Sequence, residues 1–98
     1  MATDTKIRIT EKAAALVLEF GYNLDFIMAL KKAVNPQDRS YNPETKIWTV
    51  SIEHEDRVIA LAREMFENAV HEYHDENNAL VTENLKTGEK AVIESLFG

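Results

Sequence analysis

The sequence predicts an α+β fold in which helices cover one face of a small, antiparallel or mixed three-stranded sheet. Three observations lead to this prediction. Residues 46–52 have the pattern of a strand, with strict alternation of apolar and polar residues from Trp48 to Ile52, an apolar run stops at Gly21, and two longer stretches repeat apolar residues every three or four positions. The predicted order is strand, helix, hairpin and long helix, followed by a short C-terminal helix.

The first twenty residues leave one choice open. Residues 1–5 are predicted to be disordered, and residues 6–10 alternate like a short strand. Residues 11–20 could form a helix capped by Thr10, because their three alanines favour helix. They could equally end as a buried strand from Ala15 to Phe20, because the run Leu-Val-Leu-Glu-Phe is followed by a glycine.

A helix is predicted to begin after Asn23. Asn23 is a suitable N-cap, and Asp25 places a negative charge in the first turn, where it favours the helix dipole. Lys31 and Lys32 lie in the last turn, and the helix ends before Pro36, because the residue preceding a proline avoids the helical conformation. The predicted buried stripe consists of Leu24, Ile27, Met28, Leu30 and Val34.

A β-hairpin follows, and the rest of the chain is organised around it. Its first strand is Arg39–Asn42, residues 43–46 form the turn with Pro43 presetting the backbone, and residues 46–52 form the second strand. Tyr41 could meet Trp48 across the hairpin. The more apolar face of the second strand, predicted to point to the core, carries Trp48, Val50 and Ile52.

A long helix is predicted from residue 53 to residue 73, because apolar residues recur there at helical spacing. The polar residues 74–78 end it, and residues 79–87 remain unassigned. Residues 88–97 are predicted to form a short amphipathic helix. The whole pattern predicts a core of Leu16, Leu18, Phe20, Leu24, Ile27, Leu30, Trp48, Val50, Ile52, Ile59, Leu61, Met65 and Phe66.

Composition limits the class of protein. Ninety-eight residues suffice for one domain, and the absence of cysteine excludes a disulfide framework and a thiolate metal site. Neither a membrane-spanning run nor a signal-peptide apolar region is found, which predicts a cytoplasmic protein. The net charge is −6, and residues 53–98 hold eleven acidic and four basic side chains. An acidic chain of this kind is not expected to bind nucleic acid non-specifically over its whole surface.

The middle of the chain carries a recognisable pattern: Arg39, then Tyr-Asn-Pro-x-x-Lys-x-Trp from Tyr41 to Trp48, between an apolar strand with a helix and a second helix. This pattern resembles the HARP domain, a small module that accompanies annealing helicases and occurs near phage and bacterial helicases. The resemblance covers about residues 15–70. Within the single domain 1–98 that the length predicts, it implies a HARP-like core at 15–75 and leaves a C-terminal extension at 76–98.

The resemblance implies a non-catalytic accessory module that associates with single-stranded or branched DNA, with a helicase or other protein, or with both, in repair, recombination or replication. An exposed tyrosine, Tyr22 or Tyr41, could stack on a base. The competing interpretation places Tyr41 and Trp48 in the core and treats the basic residues as solvated surface. The predicted DNA-binding residues are Lys31, Lys32, Arg39, Tyr41, Lys46, Arg57 and Arg63.

A second hypothesis assigns the chain to another class of protein. In this hypothesis it is a small acidic adaptor or inhibitor, such as a phage could encode, that binds a protein through its acidic C-terminal helices. Enzyme activity is not expected, because no nucleophile elbow or phosphate-binding glycine loop is present. His71 and His74, with Glu67 and Asp75, have helical spacing, but no second element completes a ligand set. The sequence therefore predicts no metal, cofactor, membrane or small-molecule substrate.

Overall fold

The computed structural model describes residues 5–93 and shows a seven-stranded mixed sheet with two α-helices. The strands lie in the order β3-β4-β2-β1-β5-β6-β7; β1 and β5 are parallel, and all other neighbours are antiparallel. The elements are β1 (Lys6–Lys12), β2 (Ala15–Phe20), α1 (Leu24–Ala33), β3 (Arg39–Asn42), β4 (Ile47–Ser51), α2 (Glu55–Met65), β5 (Asn68–His74), β6 (Leu80–Asn84) and β7 (Lys90–Ile93). Short 3₁₀ turns at Pro36–Asp38 and Ile52–His54 precede β3 and α2.

The predicted three-stranded sheet with a long helix and a C-terminal helix is therefore wrong. Strands outweigh helices, because four segments beyond the predicted hairpin and β2 also pair into the sheet. Between Ala15 and Met65 the order is nevertheless strand, helix, hairpin and helix. The error lies on either side of this segment, where short strands add to the sheet by contacts that are distant in the sequence.

The choice left open for residues 11–20 is decided in favour of strand. β1 and β2 form a tight antiparallel hairpin in which Lys12 pairs with Ala15. Ala13 and Ala14, which connect them, both have positive φ angles, 45° and 64°. Two-residue hairpin turns need this left-handed backbone, although alanine is not a residue that favours it. The alanines therefore mark a turn here rather than a helix.

The predicted N-cap of α1 and the predicted central hairpin are confirmed. The Asn23 side chain caps α1 by accepting a hydrogen bond from the Phe26 backbone N–H at 3.0 Å. Tyr41 pairs with Trp48 across β3 and β4, and their ring centroids are 4.9 Å apart. The Asn42 side chain also shapes the turn, because its Oδ1 atom accepts hydrogen bonds from the backbone N–H groups of Glu44 and Thr45. The sequence predicts this turn from Pro43 alone.

The long helix predicted over residues 53–73 ends at Met65, and the chain becomes extended at Phe66. The backbone N–H of Asn68 then donates to the carbonyl of Thr5, and β5 continues alongside β1 in parallel. From this point the chain alternates in the manner of a strand, so that Ala69 and His71 are buried on one face. The apolar residues with helical spacing therefore extend beyond the helix into a strand. Their local spacing does not show where the helix ends.

The C-terminal extension also forms strands. Asp75 accepts two backbone hydrogen bonds through one side-chain oxygen and thereby shapes the turn between β5 and β6. The predicted helix over residues 88–97 is wrong for Lys90–Ile93, which pairs with β6, and residues 94–98 lie outside the described residues.

Thr5, predicted to be disordered, is hydrogen-bonded to Glu67 and Asn68. Among the described residues, neither helix is long and apolar enough to cross a membrane.

The core lies between one face of the sheet and the two helices. Six predicted core residues are buried: Leu16, Leu18, Leu30, Trp48, Val50 and Phe66. Another six are partly buried and pack against them: Phe20, Ile27, Ile52, Ile59, Leu61 and Met65. The prediction that Leu24 lies in the core is wrong, because α1 turns Phe26 toward the core and leaves 52% of the Leu24 surface exposed. Met28, predicted in the stripe of α1, is likewise 58% exposed.

Candidate nucleic-acid interface

A groove of about 820 Å³ lies where the start of α1 meets the end of β2 and the β3–β4 hairpin. Each of its charged lining residues is a cation, although the protein as a whole carries a net charge of −6. These cations are Lys31, Arg39 and Lys46, and none of the described residues that line the groove is a carboxylate. The remaining lining residues are Phe20, Gly21, Tyr22, Leu24, Ile27, Ser40, Tyr41 and Trp48.

The apolar floor of the groove is continuous with the core. Trp48 is only 7% exposed, and Phe20 makes an edge-on contact with Phe26 at 5.0 Å between ring centroids. Tyr41 packs on Trp48 but stays 45% exposed, and Tyr22 is 84% exposed. The groove therefore presents two accessible aromatic side chains on a well-packed base, which is an arrangement suited to stacking against a planar ligand.

The three cations are positioned by different local structures. The Arg39 side chain donates a hydrogen bond from Nε to the carbonyl of Val34 at 3.1 Å, which holds the guanidinium near the end of α1. Lys31 Nζ lies 6.0 Å from the centroid of the Trp48 ring, at the outer limit for a cation–π contact. Lys46 closes the hairpin turn with a positive φ of 61°, a conformation that costs a side-chain-bearing residue about 1 kcal/mol.

The other predicted DNA-binding residues lie outside the groove. Lys32 is exposed on α1, where it borders a shallow surface with Met28 and Lys31. Arg57 donates to the carbonyl of Ala33 at 3.0 Å, at the last residue of α1. Arg63 donates to the carbonyl of Leu85 at 2.9 Å. The two arginines thus bind backbone carbonyls between elements, while Lys31, Arg39, Tyr41 and Lys46 are brought together.

Two groups, each made of carboxylates and a histidine, lie near the start of α2, and none of their members lines the groove. In one, His54 Nε2 is 2.9 Å from an oxygen of Asp38 and 3.5 Å from an oxygen of Glu53. The other group, named here the Glu11–Glu55–His71 cluster, brings together one residue each from β1, α2 and β5. Neither group can be recognised in the sequence, because its members come from segments that are separated in the chain.

The Glu11–Glu55–His71 cluster has unusual electrostatics. Burial raises the pKa of Glu55 to about 7, and a hydrogen bond with Glu11 and the negative charges of Glu11 and Asp56 act in the same direction. Burial lowers the pKa of His71, and the charges of Glu11 and Glu83 oppose this effect only in part. At neutral pH, His71 is therefore in its uncharged form.

The histidine pair considered in the sequence analysis is not formed. His71 and His74 lie three residues apart on β5, so that their side chains project from opposite faces of the sheet. His71 is buried and His74 is exposed. The helical spacing that suggested a shared site does not exist, because this segment is a strand.

No protein-family model, no curated protein and no solved structure matches this chain. The resemblance to the HARP domain therefore stays a prediction from the sequence.

Proposed function

We propose that the protein binds single-stranded DNA, or the single-stranded part of a branched DNA, in the groove between α1 and the β3–β4 hairpin. The observation that carries this proposal is the combination of three cations, no carboxylate and two exposed tyrosines in one groove of an acidic protein. Cations that follow a phosphate backbone, together with aromatic rings that stack on bases, are the usual means of binding single strands.

The size and character of the groove favour a single strand over a duplex. A volume of about 820 Å³ is within the range of sites that hold small ligands, so that it suits one or two nucleotides rather than a double helix. Tyr22 and Tyr41 can stack only on bases whose faces are free. Each such contact contributes about 1–3 kcal/mol. The protein acts in this proposal as a non-catalytic accessory module in the cytoplasm, alone or beside a helicase.

The second hypothesis, an adaptor or inhibitor that acts through acidic C-terminal helices, keeps only α2 (Glu55–Met65) of these helices among the described residues. Residues 68–74, 80–84 and 90–93 are strands. A protein partner such as a helicase stays a prediction, and the exposed apolar side chains of Leu24 and Met28 on α1 are where we would look for it.

The proposal can be tested by fluorescence anisotropy with labelled single-stranded, duplex and forked DNA. Three phosphate contacts, one for each cation of the groove, predict a slope of about −2 in a plot of log affinity against log salt for a single strand. Affinity should then fall about 20-fold between 50 and 200 mM salt. The single strand and the fork should bind more tightly than the duplex.

Variants identify the surface. The double change Lys31→Glu with Lys46→Glu should abolish binding at moderate salt, and Tyr22→Ala should weaken it without changing the salt slope. The matched control is Lys6→Glu with Lys90→Glu, which alters the net charge equally at exposed strand residues outside the groove. Equal loss in both double variants, or no binding by the wild-type protein at low salt, would rule out the groove as a DNA site.

A further inference from the structure

His71 has a buried nitrogen atom with no hydrogen-bond partner. Among the described residues, His71 is the buried residue with a polar or charged side chain, and 5% of its surface is exposed. Among the described residues its Nε2 atom accepts or donates no hydrogen bond. Leaving a buried polar atom unpaired is costly, and structures with such an atom usually hold a reason for it at that position.

The unpaired nitrogen points toward two carboxylates. Nε2 of His71 lies 3.5 Å from Oε2 of Glu55, and one ligand atom from each of Glu11, Glu55 and His71 lies within 4.8 Å of the others. Ligands about 2.0–2.2 Å from a tetrahedral zinc ion are roughly 3.3–3.6 Å apart. The observed separation of the His71 and Glu55 atoms falls in this range, and a Glu11 oxygen lies within 4.8 Å of both.

We propose that Glu11, Glu55 and His71 bind a divalent transition-metal ion, with Zn²⁺ as the ion that best fits one imidazole and two carboxylates. Imidazole nitrogen favours zinc and similar metals over Mg²⁺ and Ca²⁺, which prefer oxygen ligands. Three protein ligands leave one tetrahedral position for water. The Glu55 side chain is 31% exposed, so that solvent reaches this side of the cluster.

The charges around the cluster agree with a cation at its centre. Two carboxylates balance the charge of a divalent ion, and Asp56 and Glu83 add to the negative potential. The ligands come from β1, α2 and β5, so that a bound ion would join the first turn of α2 to both strands of the parallel pair. Metal binding should therefore stabilise the fold as well as occupy the cluster.

The second histidine–carboxylate group does not support the same inference. His54 Nε2 already has a partner in Asp38, at 2.9 Å. No polar atom there is both buried and unpaired among the described residues. The Asp38–Glu53–His54 group is explained by its own hydrogen bond, and it supplies a useful comparison for the experiment.

The test is a titration of the chelator-treated, full-length protein with ZnCl₂, followed by isothermal calorimetry and by thermal unfolding. We expect one ion per chain, and at 100 times the dissociation constant a rise of about 100-fold in the ratio of folded to unfolded protein. MgCl₂ and CaCl₂ at the same concentrations should have no such effect. Co²⁺ should bind in place of zinc and give visible absorption bands of a low-coordination site.

Four variants locate the site. His71→Gln and Glu55→Gln should each reduce zinc affinity more than about 100-fold, while melting in EDTA shows that they still fold. His74→Gln, on the opposite face of the same strand, and His54→Gln, in the second group, should bind zinc within a factor of two of wild type. Absence of stoichiometric zinc binding, or equal affinity in His71→Gln and His74→Gln, would overturn the proposal. In EDTA, the His71→Gln and Glu55→Gln proteins should bind DNA with the affinity of the wild-type protein. This result would show that the metal site and the groove are separate.

Discussion

At the scale of single residues, Trp48 serves both the core and the groove. Trp48 is 7% exposed, it pairs with Leu18 of the neighbouring strand β2, and the Tyr41 ring packs against it from β3. The competing sequence interpretation placed both Trp48 and Tyr41 in the core. The structure separates them, because Trp48 is buried and Tyr41 is 45% exposed.

Replacing Trp48 with alanine should destabilise the protein by about 3–5 kcal/mol, since a large buried side chain is lost and a cavity remains. Such a loss is enough to unfold many small domains. Urea denaturation followed by circular dichroism measures it. Tyr22→Ala removes an aromatic residue that is 84% exposed and should change stability by less than about 0.5 kcal/mol. A Trp48→Ala protein as stable as wild type would show that the ring is not part of the core.

The raised pKa of Glu55 predicts the pH dependence of the metal-free protein. The pKa is about 7 in the folded state and 4.5 as a reference value, so that the folded state binds more protons between these values. Its contribution to stability must then decrease as pH rises from about 4.5 to about 7. The groups that face Glu55 are Glu11, Asp56 and His71.

Glu55→Gln should therefore be more stable than wild type at pH 8 and similar to it at pH 5, in EDTA. Since the side chain is partly solvated, we expect a difference of about 1–2 kcal/mol. Glu64→Gln, at an exposed position on the same helix, is the control and should show no such difference. Comparison of urea unfolding at the two pH values measures it, and a difference that grows toward low pH would contradict the assignment.

At the scale of elements, the segment after α2 shows how pairing can override local spacing. Apolar residues continue at helical intervals from Val58 to Tyr73, yet the helix stops at Met65. The extended segment gains a parallel partner in β1, which pairs over five residues from Lys6 to Thr10. Valine and tyrosine in β5 also fit a strand. The hydrogen bonds that stabilise β5 are therefore made with a strand that lies more than fifty residues earlier in the chain.

The β1–β2 turn provides an engineering prediction. Ala13 and Ala14 occupy left-handed backbone conformations that glycine and asparagine adopt at lower cost. Ala13→Asn with Ala14→Gly should stabilise the protein by about 1 kcal/mol, after allowance for the greater freedom of glycine in the unfolded chain. Thermal or urea unfolding measures this gain.

The matched control for the turn is Ala60→Gly. Ala60 is exposed within α2, where glycine should cost about 1 kcal/mol. The same kind of substitution should therefore have opposite signs at the two sites. Destabilisation at both would mean that the turn does not have the left-handed conformation.

At the scale of the whole molecule, the fold separates charge in a way that the linear sequence only suggests. Residues 53–98 carry eleven acids and four bases, whereas the groove contains three cations and no acid. Two of these cations, Arg39 and Lys46, come from the β3–β4 hairpin and its turn, and Lys31 comes from α1. A local cationic surface on an acidic protein allows binding at one face while the remaining surface repels polyanions.

The sequence by itself determined the parts of the protein that depend on neighbours within a few residues. These include the Asn23 cap of α1 and the alternation of β4, whereas the register that pairs Tyr41 with Trp48 was left open by the sequence and is set by the structure. Four of the seven predicted DNA-binding residues also meet in one groove, because they lie on α1 and the hairpin.

Only the tertiary structure decided the number of strands, the end of α2 and the Glu11–Glu55–His71 cluster. Each of these depends on contacts between residues far apart in the chain, such as the pairing of His71 with Ile9 and of Asn68 with Lys6. Helical periodicity and strand alternation report which face of an element is apolar, but not which distant strand will pair with it. The physical reason is that sheet hydrogen bonds form between segments, whereas the signals read from sequence act within them.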